Sequence, residues 1–167
     1  MTTDTLERAR SVAAGVTDPE LPMLTLADLG VLRDVHEEDG TVVVTITPTY
    51  TGCPAMATMR ADLQVALRRA GFEHVDVRTS LAPAWTTDWM TPDGRQALAD
   101  AGIAPPATTR SASGPVDLLL GPPSRRLPCP QCGSDHTAEL SRFGSTACKS
   151  LQVCRACGET FDHFKEI

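Results

Sequence analysis

Aromatic side chains make up only 4% of this chain, so aliphatic residues must dominate its core. Long apolar runs are missing too. No stretch approaches the roughly 20 consecutive apolar residues of a membrane span, and the opening Met-Thr-Thr-Asp is polar, unlike a secretory signal. There is no basic track. Arg125 and Arg126 form a local pair, too little to follow a phosphate backbone, and the net charge of −6 argues against a nucleic-acid groove. The chain has no Glu-x-x-His pair of the kind a di-iron helix bundle uses, and no Gly-x-Gly-x-x-Gly dinucleotide turn. These absences predict a cytoplasmic, acidic protein that binds neither nucleic acid nor membrane and is not itself a di-iron or dinucleotide catalyst.

Cysteine is the residue the chain does have. Six cysteines without a secretory signal point to a reducing compartment, where metal binding or thiol chemistry is favoured over disulfides. Four of them form two knuckles, Cys129-Pro-Gln-Cys132 and Cys154-Arg-Ala-Cys157, separated by the 21 residues 133–153. Each Cys-x-x-Cys brings two thiolates to one ion, and two pairs complete a tetrahedral shell. Gly133 and Gly158 follow the knuckles, where the backbone must turn tightly. The spacer slightly exceeds the usual length of about 15–20 residues, and a short hairpin fills it. The expected element is a zinc ribbon over 129–167; thiolates accept iron as well as zinc, so spacing alone leaves the ion open. Cys148, within the spacer, reads as a bystander because four ligands already exist.

Hydrophobic periodicity organises the rest. Residues 4–14 read as a helix, with Asp4 placed to cap it and Leu6, Ala9 and Ala13 on one face. Asp18-Pro19-Glu20-Leu21-Pro22 forbids a continued helix and forces a turn. Val31–Val35 and Thr41–Thr47 read as strands joined by Glu38-Asp39-Gly40, a tight hairpin signal. A helix from Cys53 to Ala70 carries Met56, Met59, Leu63, Ala66, Leu67 and Ala70 as its apolar stripe, and Gly71 ends it. Phe72–Arg78 reads as a third strand and Gln96–Ala101 as a short helix. The expected fold class is thus a small α/β (α+β) domain over 1–104, with helices on one face of a short sheet. A Pro-rich linker over 105–128 follows, then the ribbon. Within the linker, Val116–Leu120 is an apolar island of open destination.

A second centre of chemistry lies in Thr47-Pro-Thr-Tyr-Thr-Gly-Cys53-Pro54. Cys53 falls at the expected N-cap with Pro54 at the first helical position, where exposed amides and the helix dipole favour a thiolate. The alternative is a small apolar residue packed under the turn. No histidine stands beside Cys53; His36 and His74 are distant and carry no motif. Asp18 and Glu20 offer two carboxylates on a stiff turn, with capping as the plain alternative. Trp85 and Trp89 read equally well as a partner surface or as packing.

Asp18-Pro-Glu-Leu-Pro22, Asp28-Leu-Gly30 and the loop ending Gly52-Cys53-Pro54 resemble the MIP18 (DUF59) family, which is associated with iron–sulfur cluster assembly. Further along, Trp85-Thr-Thr-Asp-Trp-Met90, Gly102-Ile-Ala-Pro-Pro106, Phe143-Gly-Ser-Thr-Ala-Cys-Lys149 and Phe161-Asp-His-Phe-Lys165 accompany the knuckles. The two-part pattern is similar to the D-component family of multicomponent phenylacetyl-CoA epoxidases (ring-1,2-epoxidases) of aerobic phenylacetate degradation.

That resemblance implies a non-catalytic accessory of an oxygenase, partnered by a di-iron catalytic subunit or an iron–sulfur reductase. It also implies that Cys53 is the reactive thiol holding iron or an iron–sulfur cluster transiently, and that Asp18 and Glu20 belong to a signature turn. A homodimer would let two such cysteines share a shell that one cannot complete. The competing readings are a structural docking subunit and a rubredoxin-like electron carrier.

Overall fold

The computed structural model describes residues 3–107 and 127–167. The Val116–Leu120 island and most of the expected linker lie outside the described residues. The chain divides into two units, Met1–Leu98 with Ile167, and Ala99–Glu166.

The first unit begins with α1 (Thr3–Ala14), which turns Ala9 and Ala13 into the core. Asp4 lies in its first turn. Two antiparallel strands follow, β1 (Leu32–Glu38) and β2 (Thr41–Ile46). Their turn fulfils the Asp-Gly expectation: Asp39 and Gly40 take φ of 49° and 78°, and Glu38 pairs with Thr41 across it. Positive φ at both central residues matches the twist of the strands, which ordinary turns would splay. The helix α2 (Met56–Arg69) then crosses to β3 (Val75–Thr79), which runs parallel to β2 from Val42↔Val75 to Ile46↔Thr79.

The sheet order is β1-β2-β3, and α1 and α2 pack on one another as well as on the strands. The central strand buries Val42, Val43, Val44 and Ile46, so it is covered on both faces rather than alternating inside and outside. Leu24, Leu26, Leu63 and Leu67 are fully buried, which bears out an aliphatic core. Each such burial contributes roughly 1.5–3 kcal/mol.

Several boundaries differ from expectation: β1 runs on to Glu38, β3 begins only at Val75, and the starts of two helices shift. The second helix starts at Met56 with Ala55 as its cap residue, so Cys53 precedes the N-cap instead of occupying it. Ahead of the helix, the Met56 amide reaches only the Cys53 carbonyl, at 3.4 Å, while the first i→i−4 bond runs from Met59 to Ala55. Pro54 therefore shapes an entry turn, not the first helical turn. The third helix, α3 (Pro92–Asp100), starts earlier than expected. Pro92 opens it with a preset φ, and the Gly94 amide donates to the Thr91 hydroxyl at 3.0 Å.

In the second unit β4 (Thr137–Ser141), β5 (Lys149–Cys154) and β6 (Thr160–Phe164) form an antiparallel sheet in that order. The β4–β5 hairpin fills the spacer between knuckles. Ala104 lies along β6 as a parallel bridge to His163, its amide on the Asp162 carbonyl at 2.8 Å and its carbonyl accepting from Phe164 at 3.0 Å. Residues 99–104, placed with the first domain from sequence, thus cluster with the second unit.

Candidate metal centre and thiol loop

The two knuckles are built alike. In the first, the Gly133 amide donates to the Cys129 carbonyl at 2.8 Å; in the second, Gly158 donates to Cys154 at 2.8 Å. Both glycines take positive φ, 71° and 81°, a conformation a side chain would strain. The strands supply the remaining scaffold, since the Cys154 amide closes onto Glu159 at 2.8 Å and the Cys129 amide onto Ser134 at 3.0 Å.

This brings the Sγ atoms of Cys129, Cys132, Cys154 and Cys157 within 4.8 Å of one another. The Cys129–Cys157 and Cys132–Cys154 sulfur separations are 3.8 and 3.6 Å, far longer than a disulfide. A tetrahedral ion with metal–sulfur bonds of about 2.3 Å has sulfur–sulfur edges of about 3.8 Å, so the four thiols fit a tetrathiolate metal site. Cys129 and Cys154 are buried beside Ala104 and Phe161, whereas Cys132 and Cys157 face solvent. Each knuckle thus offers one buried and one exposed sulfur.

Electrostatics point the same way. The Cys157 amide, then the Ala156 amide, draw the Cys154 thiol down to about 7 against the opposing effect of burial. Cys157 is pushed up to about 12: the Glu159 amide pulls it down, but Cys154 and Cys132 together outweigh that pull. Cys132 is raised too; the Ser134 amide and Cys157 lower it, while Cys154, burial and Cys129 prevail. Four sulfurs this close resist simultaneous ionisation, and a dication among them removes the conflict.

Cys148 stands apart from the cluster. Its sulfur lies 3.0 Å from the Thr146 hydroxyl and its carbonyl accepts from the Lys165 amide.

In the first unit, Cys53 is half-buried and not disulfide-bonded. Its amide closes a turn onto the Tyr50 carbonyl at 3.3 Å. The signature-turn carboxylates separate. Asp18 is buried and one oxygen accepts the amides of Glu20 and Leu21 at 2.8 and 2.9 Å, while Glu20 is exposed. Asp18 therefore holds the turn.

Trp85 is buried and donates its indole N–H to the Leu29 carbonyl at 3.1 Å. Trp89 lies under the Arg33 guanidinium, 3.5 Å from its ring centre. His36 pairs with Asp34 on β1 at 2.6 Å, and His74 is exposed.

Sequence reasoning overlooked one junction. Asp28 accepts from the hydroxyls of Thr25 at 2.6 Å and Thr91 at 2.9 Å, and its carbonyl accepts the Thr91 amide, tying α3 to the Thr25–Gly30 turn. The signal was present: Thr91-Pro92 followed by Asp93 is a helix-start pattern.

Comparisons with known proteins agree with this geometry. Residues 7–78 match the family described as iron–sulfur cluster assembly protein, and residues 114–165 match the PaaD zinc beta ribbon domain. An Escherichia coli (strain K12) protein, named as the putative D component of 1,2-phenylacetyl-CoA epoxidase, is 47% identical over 152 residues, covering 91% of this chain and 87% of that one. A Porphyromonas gingivalis (strain ATCC BAA-308 / W83) protein named "Fe-S protein maturation auxiliary factor" is 33% identical over 78 residues, 46% of this chain and 73% of its own. A DUF59 domain from Bacillus anthracis, known from a crystal structure, superposes with a TM-score of 0.51 at 26% identity, over 57% of this chain and 92% of that one. Among the described residues no helix is long and apolar enough to cross a membrane.

Proposed function

This chain belongs to the D-component family of 1,2-phenylacetyl-CoA epoxidases, and on that premise we propose that it is a non-catalytic accessory of that epoxidase system, helping to assemble or maintain its iron centre. Cys53 is the residue we assign to metal handling. As a soft thiolate it holds iron or an iron–sulfur cluster transiently and passes it to the di-iron catalytic subunit or the iron–sulfur reductase. The metal is cargo in this reading. A second copy of the chain supplies the further thiolate that a single cysteine lacks.

The observation that carries the reading is the separation of two thiol sites. The four knuckle sulfurs make a complete set without Cys53. Cys53 lies instead in the span 7–78 that resembles iron–sulfur assembly proteins. We assign zinc to the knuckles: it cross-links them and neutralises their thiolates when bound. With four protein ligands that site keeps no open coordination position, as a structural site requires. Asp18 and the Asp28–Thr91 junction act as positioning residues that hold the turns flanking the sheet.

The test is to co-produce the epoxidase components with wild-type chain or with Cys53→Ala and to measure iron in the purified catalytic subunit. An underfilled, inactive oxygenase is expected with the variant. Normal iron content beside Cys53→Ala defeats the reading.

A further inference from the structure

The four knuckle thiols share one chemistry but not one access. Cys129 and Cys154 are 2% and 0% exposed and pack with Ala104 and Phe161. Cys132 and Cys157, the second thiol of each knuckle, are exposed, and so is the chain around them over 130–133 and 155–160. The two exposed sulfurs lie within 4.8 Å of each other. A bound dication holds all four sulfurs as thiolates, the form of cysteine that attacks an oxidant. Oxidation follows thiolate character and exposure, and an accessible thiolate beside a second thiol goes on to a disulfide. The exposed pair meets each of these conditions, while the buried pair is shielded from solvent. Cys148, half-buried, stands outside the cluster.

We propose that Cys132 and Cys157 form a redox switch: hydrogen peroxide joins them in a disulfide across the knuckles, and the ribbon gives up its zinc. One exposed thiolate attacks a peroxide oxygen; the S–O bond forms, the O–O bond breaks, and the departing hydroxide takes a proton to become water. The second thiolate attacks the sulfenic sulfur; the S–S bond forms, the S–O bond breaks, and a second hydroxide leaves and is protonated. Two thiolates lose two electrons in all, and one peroxide gains them and becomes two waters. Cys129 and Cys154 then remain as the only thiolates, too few for the four-coordinate shell of a structural zinc. With the ion gone, β4–β6 lose the cross-link on which so small a sheet depends. The inference rests on the assignment of zinc to the knuckles made above and is independent of Cys53.

The experiment titrates hydrogen peroxide into the full-length zinc-loaded chain and follows zinc release with a chromophoric chelator, the β4–β6 resonances by NMR, and disulfides by mass spectrometry of tryptic peptides. Cleavage after Arg155 separates Cys154 from Cys157, so the pairing is read directly: Cys132–Cys157 links peptide 127–142 to peptide 156–165. Zinc loss, loss of the β4–β6 signals and appearance of that cross-link are expected to rise together. Dithiothreitol with added zinc should restore the starting spectrum. Cys148→Ser should release zinc as the wild type does. Zinc retained under excess peroxide, a disulfide within one knuckle or to Cys154, failure of dithiothreitol to restore the fold, or loss of the response in Cys148→Ser overturns the inference. Zinc assayed before any peroxide separates the two failures: a chain purified without zinc refutes the metal assignment and the switch together, whereas zinc present but unmoved by peroxide refutes the switch alone.

Discussion

Gly30 sits against the backbone of Trp89 so closely that a β-carbon on it would lie 2.6 Å from the Trp89 carbonyl oxygen. Gly30 also takes φ of 75°. Beside it the Leu29 carbonyl receives the Trp85 indole, and Arg33 covers the Trp89 ring. The Asp28-Leu29-Gly30 turn and the Trp85–Trp89 segment are therefore two halves of one packed junction. This explains why both stand out as motifs.

Gly30→Ala should destabilise the first unit by about 2–5 kcal/mol, combining a left-handed backbone with overpacking against main chain. Gly40→Ala shares the positive φ but meets nothing within 4 Å, so it should cost only about 1–2 kcal/mol. Urea denaturation of the two variants distinguishes the contributions; equal losses would mean that the Trp89 contact contributes nothing.

Asp18→Ala should lose about 1–3 kcal/mol by leaving the buried amide of Leu21 and the part-buried amide of Glu20 without their acceptor. Asp18→Asn retains a side-chain oxygen and should recover most of that. Glu20→Ala should stay within about 0.5 kcal/mol of wild type. Thermal melts measure all three. If Asp18→Asn is as stable as wild type yet fails to support the epoxidase, Asp18 has a chemical role beyond the turn.

Thr91→Val removes the cap on the Gly94 amide and one hydroxyl donor to Asp28. The expected cost is about 1–3 kcal/mol. Faster hydrogen exchange of the first amides of α3 than of α2 would place the damage at that helix start.

Removing the metal with a strong chelator should melt β4–β6 while the helical circular-dichroism signal of α1 and α2 persists. A small sheet with so little apolar interior depends on its ion to fold. Cys129→Ser and Cys154→Ser, which place oxygen at the buried ligand positions, should lose zinc more completely than Cys132→Ser at an exposed one. Retention of the β4–β6 signals after chelation contradicts this.

Much of this architecture was legible in local pattern. Asp39-Gly40 specified its turn because only residues tolerant of positive φ fit there, and the Met59–Leu63–Leu67 stripe specified the buried face of α2. The knuckles were legible because their spacing is itself the chelating geometry. What escaped depended on contacts distant in sequence. The helix signal around Cys53-Pro54 could not reveal that hydrogen bonding starts only at Ala55. The Trp85 indole finds its hydrogen-bond acceptor at a carbonyl 56 positions away, at Leu29. Ala104, beyond the expected helix Gln96–Ala101, finds its backbone partners only on β6.

The most direct test of the central claim is metal analysis with absorption spectroscopy on wild type and Cys53→Ala, both purified anaerobically after co-production with the epoxidase components. The account predicts zinc at one ion per chain in both proteins, with additional iron and visible absorption in wild type alone. Identical metal content and identical spectra in the two would contradict metal handling by Cys53.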